Sequence, residues 1–497
     1  MAKTLICACE DVDLAEVRRA FAAGHRDLES VKRYTGLGTG PCQGKSCVTA
    51  VIRELLRLGA TPGEVVPFTA RPPREPVALG ALAAIDPGTL PLGHEGVPPE
   101  PPEPPEPLGP STAQVAPLPA RADVVVVGGG IVGLSIAYEL ASRGVTDVLV
   151  LDRGYLNAGA SGRNGGGVRA QWTTPTMIRL ARRSLARCRT FAEDMGINVW
   201  FRRGGYLFLA PTREHVERIE RNQQIHAREG LRTRILTPAQ ALEVVPELDP
   251  STFLAASHNP DDGVVFPWPF LWGYATRAEA LGAKVRTFTR VTGFRTAGDA
   301  ITHVETDRGA VACGLVVNAA GAWSRSVAAL AGVATPNRPT RHEILVGEPL
   351  EPWLDPLVSL LGSGLYFSQS QRGELVGGMG DPAEPEGVVH GSTIRFLARF
   401  ARAATRVVPR LSGVKVIRQW AGCYDVTPDN NPILGPAGFG NFFQVHGLVG
   451  HGFMMAPALA EVVADEIAGR ARSELVAAFG LGRFARGDAV REDFIIG

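Results

Sequence analysis

Nowhere in the 497 residues do eighteen apolar residues follow one another, so no membrane-spanning helix is expected. Charge of either sign is equally unconcentrated. Lys and Arg total 51 against 50 Asp and Glu, the net charge is +1, and the basic residues are dispersed along the chain. A nucleic-acid-binding protein needs a basic patch or stripe, and none is present. No apolar leader precedes Cys7 and Cys9, so the cytoplasm is the expected compartment. Cysteine is scarce, seven in all, and unevenly spread. Cys188, Cys313 and Cys423 stand alone in apolar surroundings and read as small buried hydrophobes. Cys7, Cys9, Cys42 and Cys47 crowd into the first 47 residues, a pattern that in a reducing compartment points to metal or catalysis rather than disulfides.

Composition is otherwise that of an ordinary globular protein, and the length calls for two or three domains. Residues 1–66 form a short unit with amphipathic helices over 13–23 and 49–58, ended at Gly24 and Gly59. Asp13 and Glu16 stand at capping-box spacing. Residues 67–121 are proline-rich, most strongly in Val97-Pro98-Pro99-Glu100-Pro101-Pro102-Glu103-Pro104-Pro105, and read as an interdomain linker in extended polyproline conformation. Residues 122–475 alternate strand-like and helix-like segments and form the main body, and 476–497 are a C-terminal tail.

Four thiolates in two close pairs suit a tetrathiolate iron site, and Gly36, Gly38, Gly40 and Gly44 allow the backbone to wrap closely around it. Zinc is the competing metal. Its usual ligand pairs are separated by two to four residues, whereas Cys7 and Cys9 are separated by Ala8 alone.

The body opens with a dinucleotide fingerprint. Asp123 to Val127 is a continuous β-branched run, as in a buried parallel strand, and Gly128-Gly129-Gly130-Ile131-Val132-Gly133 follows it directly. A helical stretch runs on to Ser142, then a second strand from Val148 to Leu151 ends at Asp152. In this βαβ setting Gly128 makes the tight turn, Gly130 lets a pyrophosphate approach, and Gly133 lets helix pack on strand. The amides of Ile131 and Val132 at the helix N-terminus face the phosphates, and Asp152 accepts from a ribose hydroxyl. FAD and NAD share this fingerprint.

Two resemblances sharpen these readings. Leu5 to Val51 resembles the bacterioferritin-associated-ferredoxin-type 2Fe–2S domain, in Ile6-Cys7-Ala8-Cys9-Glu10, Val31-Lys32-Arg33-Tyr34-Thr35 and Gly40-Pro41-Cys42-Gln43-Gly44-Lys45-Ser46-Cys47. It implies a 2Fe–2S cluster on Cys7, Cys9, Cys42 and Cys47. The stretch Ala158-Gly159-Ala160-Ser161-Gly162-Arg163-Asn164-Gly165-Gly166-Gly167-Val168-Arg169 resembles the D-amino-acid-oxidase-like FAD family. So do Val317 to Trp323, Trp420 to Gly435, and His446-Gly447-Leu448-Val449-Gly450-His451-Gly452-Phe453-Met454 ahead of a helix to Ala468. The likeness is greatest to the sarcosine-oxidase β-subunit and proline or opine dehydrogenase branch. It implies FAD held by Arg153, Ser161, Arg163, Asn164, Gly165, Gly166, Val291, Ala320, Gly321, Gly450, Gly452, Phe453 and Met454, in addition to the fingerprint residues. Because Tyr424-Asp425 after Cys423 departs from the family's covalent-attachment pattern, the FAD is expected to be non-covalent. The first amides of the last helix would face the flavin pyrimidine ring, where reduction places negative charge.

By the same resemblance the substrate is an amino acid or amine, and Arg169 matches an arginine that forks onto its carboxylate. Tyr366 and Arg372 are further candidates, and His451 stands beside the flavin. Where sarcosine oxidases carry a carboxylate-holding lysine, this chain has Met454, which leaves the substrate open among proline, hydroxyproline, sarcosine, D-amino acids and opines. The expected fold class is α+β / α/β: a small helical 2Fe–2S domain, a proline-rich linker, then a Rossmann-type FAD domain (122–190, 275–335, 415–470) interleaved with an antiparallel-sheet substrate domain (191–274, 336–414). The expected activity is an FAD-dependent dehydrogenase passing electrons to 2Fe–2S and on to partner subunits of a hetero-oligomer. An oxidase with a structural cluster and a non-catalytic redox or iron-sensing subunit are the alternatives.

Overall fold

A computed structural model of the chain describes residues 3–65, 68, 71–93, 116–156, 158–489, 491, 492 and 494. The proline-rich peak at 97–107 lies outside the described residues. No described helix is long and apolar enough to cross a membrane.

In the N-terminal unit a short hairpin, Leu5–Cys7 against Val12–Asp13, leads into three helices, Leu14–Ala22, Leu28–Thr35 and Val48–Arg57. The first starts on the Asp13/Glu16 capping box, in which both reciprocal hydrogen bonds are made. The second ends on Gly36 at φ +79°, a left-handed conformation open to glycine at little cost. Val17, Ala20, Leu28, Val31, Val51 and Leu55 close a small core under the hairpin.

Among the described residues the body is built on two large sheets. The first runs Lys284–Arg286, Val148–Leu151, Arg121–Val127, Gly309–Asn318, Ala300–Thr306, Val291–Ala297, with Phe439–His446 also paired to Gly309–Asn318. The strands from Lys284–Arg286 across to Phe439–His446 pair in parallel. Ile131–Ser142, Pro267–Ala280 and Gly452–Ile467 pack together on one face of this sheet. The result is a Rossmann-type half whose strands point their carboxyl ends at one crevice. The second sheet has nine strands, from Val77–Ala78 through Lys415–Val426, Arg338–Pro349, Glu374–Met379, Leu365–Gln369, Leu357–Leu360, Tyr206–Ala210 and Ala255–Asn259 to Arg234–Leu236. All its pairings are antiparallel except that of Leu357–Leu360 with Tyr206–Ala210. This is the mixed α/β fold expected.

Three boundaries differ from the sequence reading. The segment 67–121 is not linker throughout: Val77–Ala78 adds a strand to the second sheet, and Leu79 and Leu82 of the following helix are buried in its core. Apolar residues ahead of the proline run had a sheet edge to cover. Lys415–Val426, expected with the FAD domain, belongs to the second sheet, because its long register with Arg338–Pro349 outweighs its proximity in sequence to the last helix. Pro267–Ala280, assigned largely to the substrate domain, buries Phe270, Leu271 and Tyr274 against the dinucleotide half.

Candidate functional site

A cavity of about 1200 Å³ runs between the two sheets and under the N-terminal unit. At one end stands the dinucleotide loop. Gly128 adopts φ +111°, and a Cβ at Gly133 would strike the Gly128 carbonyl, so helix and strand can approach only because neither carries a side chain. A Cβ at Gly130 would instead meet only Ser161 Oγ, at 3.1 Å, and so would project toward the loop that lines the cavity. Ser161 accepts a 3.0 Å hydrogen bond from the Ile131 amide, and Asp152 accepts from the amides of Gly129 (2.7 Å) and Gly154 (2.8 Å). Burial pushes the Asp152 carboxyl up to about 6. A glycine cradle, a helix N-terminus and a carboxylate ending the second strand fit a bound dinucleotide, and the cavity continues far enough to hold more than its phosphates.

Of the residues named from sequence, Gly128, Gly130, Ile131, Val132, Asp152, Arg153, Ser161, Arg163, Asn164, Gly165, Gly166, Val291, Ala320, Gly321, Tyr366, Gly450, His451, Gly452, Phe453 and Met454 line this one cavity. Gly133 sits behind it as a packing residue. The start of Gly452–Ile467 opens onto the cavity with Gly452, Phe453 and Met454, the position from which helix amides favour negative charge.

The opposite end is aromatic. His342 lies flat against Tyr424, with centroids 4.3 Å apart at 11°, and parallel to Tyr366 at 5.7 Å. His342 Nε2 is 3.1 Å from the Tyr366 hydroxyl, which is also hydrogen-bonded to Tyr424. Gly450 lets the Tyr424 ring lie on the backbone, since any Cβ there would enter the ring. Burial holds His342 down at about 4 and drives both tyrosines above the ordinary phenol range. His451 falls well below its usual value, from burial first and then from the nearby Arg169 cation and His342. Near neutral pH these four side chains are therefore uncharged. His342, Tyr424 and Tyr206 escaped the sequence reading as site residues. They come from separate strands of the second sheet, and nothing local distinguishes them from core aromatics.

Two predicted substrate residues are not in the cavity lining. Arg169 is fully buried behind it, donating to the carbonyls of Gln171 and Phe494 and lying 4.1 Å over the Trp172 ring. Arg372 faces a separate small cavity with Trp200 and Phe201 and pairs with Glu10, next to Cys9. Arg372 and the two terminal nitrogens of Arg169 find partners within the protein, whereas the buried Arg169 Nε has none. The Glu10 pair is one of several ties between the N-terminal unit and the body; Tyr34 and His25 also pack on Trp272, and Arg33 lies 4.7 Å over Tyr155. Gly24, Arg26, Asp27, Leu28, Glu29, Glu64, Phe68 and Arg71 thereby form one wall of the cavity.

The four N-terminal cysteines meet as two contacts, Cys7 with Cys47 and Cys9 with Cys42. The hydrogen bond between Cys7 and Cys47 lowers the Cys7 thiol and raises that of Cys47. Among the described residues no three His, Cys, Asp or Glu side chains converge as they would around a single metal ion. The 2Fe–2S cluster expected on Cys7, Cys9, Cys42 and Cys47 thus has its four cysteines brought near one another, but no metal-holding group is formed among the described residues.

Residues 123–466 match the family described as FAD dependent oxidoreductase, and residues 1–86 match the sarcosine oxidase A3 domain. Sarcosine oxidase subunit beta of Rhodobacter capsulatus is 30% identical over 382 residues, covering 76% of this chain and 92% of that protein. The crystal structure of L-proline dehydrogenase from P. horikoshii superposes with a TM-score of 0.72 at 35% identity, over 75% of this chain and all of that one. Glycine oxidase from Geobacillus kaustophilus follows with a TM-score of 0.68 at 26% identity, over 73% of this chain and 99% of that one. With its glycine cradle, its crevice at the strand ends and a family match spanning most of its length, the chain belongs to the FAD dependent oxidoreductases.

Proposed function

We propose that this protein oxidises a C–N bond of a small amino acid or secondary amine, and that the electrons leave through a 2Fe–2S group in the N-terminal unit toward a partner subunit. The carrying observation is the shared cavity: its walls join the dinucleotide loop, an uncharged His/Tyr cluster and the N-terminal unit. The relatives' names point to sarcosine, proline and glycine as the class of substrate.

FAD, held by the glycine loop, Asp152, Ser161 and the first turn of Gly452–Ile467, would supply hydride acceptance. The chain's own contribution is placement and protonation state. An amine must be neutral to give up hydride, and the buried set His342, Tyr366, Tyr424 and His451 disfavours a bound ammonium through desolvation. His342 is held unprotonated, so it can accept a hydrogen bond from the amine but would not retain its proton, which leaves to solvent as the amine enters the buried site. The 2Fe–2S reading rests on the four cysteines of the N-terminal unit, whose thiols approach as Cys7 with Cys47 and Cys9 with Cys42. A one-electron group beside a flavin is useful when electrons depart singly.

Anaerobic titration with proline, hydroxyproline, sarcosine, D-amino acids and opines tests the reading. At least one should bleach the flavin absorbance, and the reduced protein should show an iron–sulfur electron spin resonance signal. A flavin that none of them bleaches would remove the substrate assignment. Stoichiometric zinc without iron would remove the electron-exit assignment, and rapid hydrogen peroxide formation in air would mark an oxidase.

A further inference from the structure

Past the last long helix the chain turns back and reaches the aromatic end of the cavity from behind. Glu492 is completely buried: its carboxylate accepts from the Thr173 and Phe494 amides, its own amide donates to the Asp429 carbonyl, and its carbonyl accepts from Asn430. This anchoring seats the Phe494 ring on Phe208, with centroids 4.5 Å apart, and brings the Phe494 carbonyl within 2.5 Å of the Arg169 guanidinium. Gln171 supplies a second carbonyl to the same guanidinium. The remaining contact of that fork is His451 Nε2, at 3.5 Å.

We propose that Arg169 is a positioning residue for His451, clamped by the Phe494 carbonyl, and that the C-terminal segment thereby sets a hydrogen-bond donor for the substrate's carboxylate. The proposal rests on reading the cavity as an amino-acid-oxidising site. A guanidinium has donors only, so the imidazole nitrogen it faces must be the acceptor. Nε2 is that nitrogen, which assigns the proton of neutral His451 to Nδ1. His451 lines the cavity, and Arg169 does not. The site would then meet a carboxylate with a neutral donor backed by a buried cation, rather than with the arginine itself. The groups facing His451 are Arg169, His342 and the edge of the Trp172 ring, 4.7 Å away. The titratable groups near Arg169 are Tyr206 and Tyr424, which line the cavity, and Glu492 and Asp262, which do not.

The test uses full-length holoenzyme and tetrahydrofuran-2-carboxylate, a substrate-shaped acid without an oxidisable amine, whose binding is read from the flavin spectrum between pH 5 and 8. The unaltered protein should bind it with an affinity that shows no inflection from His451. In Arg169→Met the lesser cause of the low His451 value is gone while burial, the larger one, remains, so its pKa recovers only in part. Affinity should then strengthen toward the acid end of the range while falling about tenfold at pH 8. Phe494→Ala should shift the profile in the same direction by less, and Phe494→Leu should restore most of it, with FAD content unchanged in both. An Arg169→Met holoenzyme with unaltered affinity and pH profile would overturn the proposal. If that variant loses FAD, the two Phe494 variants decide, and a flat profile in Phe494→Ala overturns it. Because the ligand needs no oxidation, a protein that binds it as described but oxidises no amine would sink the functional reading and leave the positioning role standing.

Discussion

At the dinucleotide end of the cavity the chain presents mainly backbone: glycines that admit close approach, amides at a helix start, and a carboxylate held by two more amides. At the aromatic end it presents side chains, His342, Tyr366 and Tyr424, stacked and hydrogen-bonded across strands that are distant in sequence. Both ends are buried, yet they respond to burial differently. Backbone cannot titrate, so the amides of the first end stay donors at any pH, even though burial raises the Asp152 carboxyl they hold to about 6. The second gains its chemistry from desolvation, which strips charge from groups that would carry or share it in water. One end is built to hold an anion; the other, on the function proposed, keeps an amine neutral.

The sharpest way to break this contrast is Gly130→Val. A branched side chain there enters the path a pyrophosphate needs, so purified protein should lack flavin absorbance; full flavin content would move the dinucleotide elsewhere. Next in size, Cys42→Ser removes one of the paired thiols and, if the proposed 2Fe–2S group is present, should abolish or greatly reduce the iron it holds with FAD retained, which iron and flavin analysis of one preparation would show. The aromatic end should respond in rate rather than content. Tyr366→Phe leaves His342 and Tyr424 short of a hydrogen bond in a buried site, a loss of about 1–3 kcal/mol that should slow anaerobic flavin reduction about tenfold. An unchanged rate would make the tyrosine packing only.

The smallest effect is on stability. His342 titrates at about 4 in the fold against 6.5 free, so the folded state binds fewer protons in that interval. Its contribution is complete above about pH 6.5 and is lost as pH falls toward 4, at up to about 1.4 kcal/mol per pH unit. His342→Gln should therefore flatten the fall of Tm over that window, and a slope equal to that of the unaltered protein would contradict the buried neutral histidine.

What could be read from the chain alone was what depends on near neighbours. The strand, glycine turn and helix of the fingerprint lie within one short stretch, and Asp152 follows at the end of the next strand, so spacing alone located that end of the cavity. The Asp13/Glu16 cap and the glycine helix ends were legible for the same reason. Pairing at long range was not. His342 and Tyr424 are neighbours because Arg338–Pro349 and Lys415–Val426 share a long antiparallel register, and no local pattern announces which strand will lie beside which. Arg169 shows the limit most clearly. Its place at the end of the glycine-rich loop suggested a substrate anchor, but the fold turned it away from the cavity and gave its fork to Gln171 and Phe494 carbonyls, the latter from the far end of the chain. A buried cation must be satisfied by whatever acceptors the packing brings to it, and only the tertiary structure decides which those are.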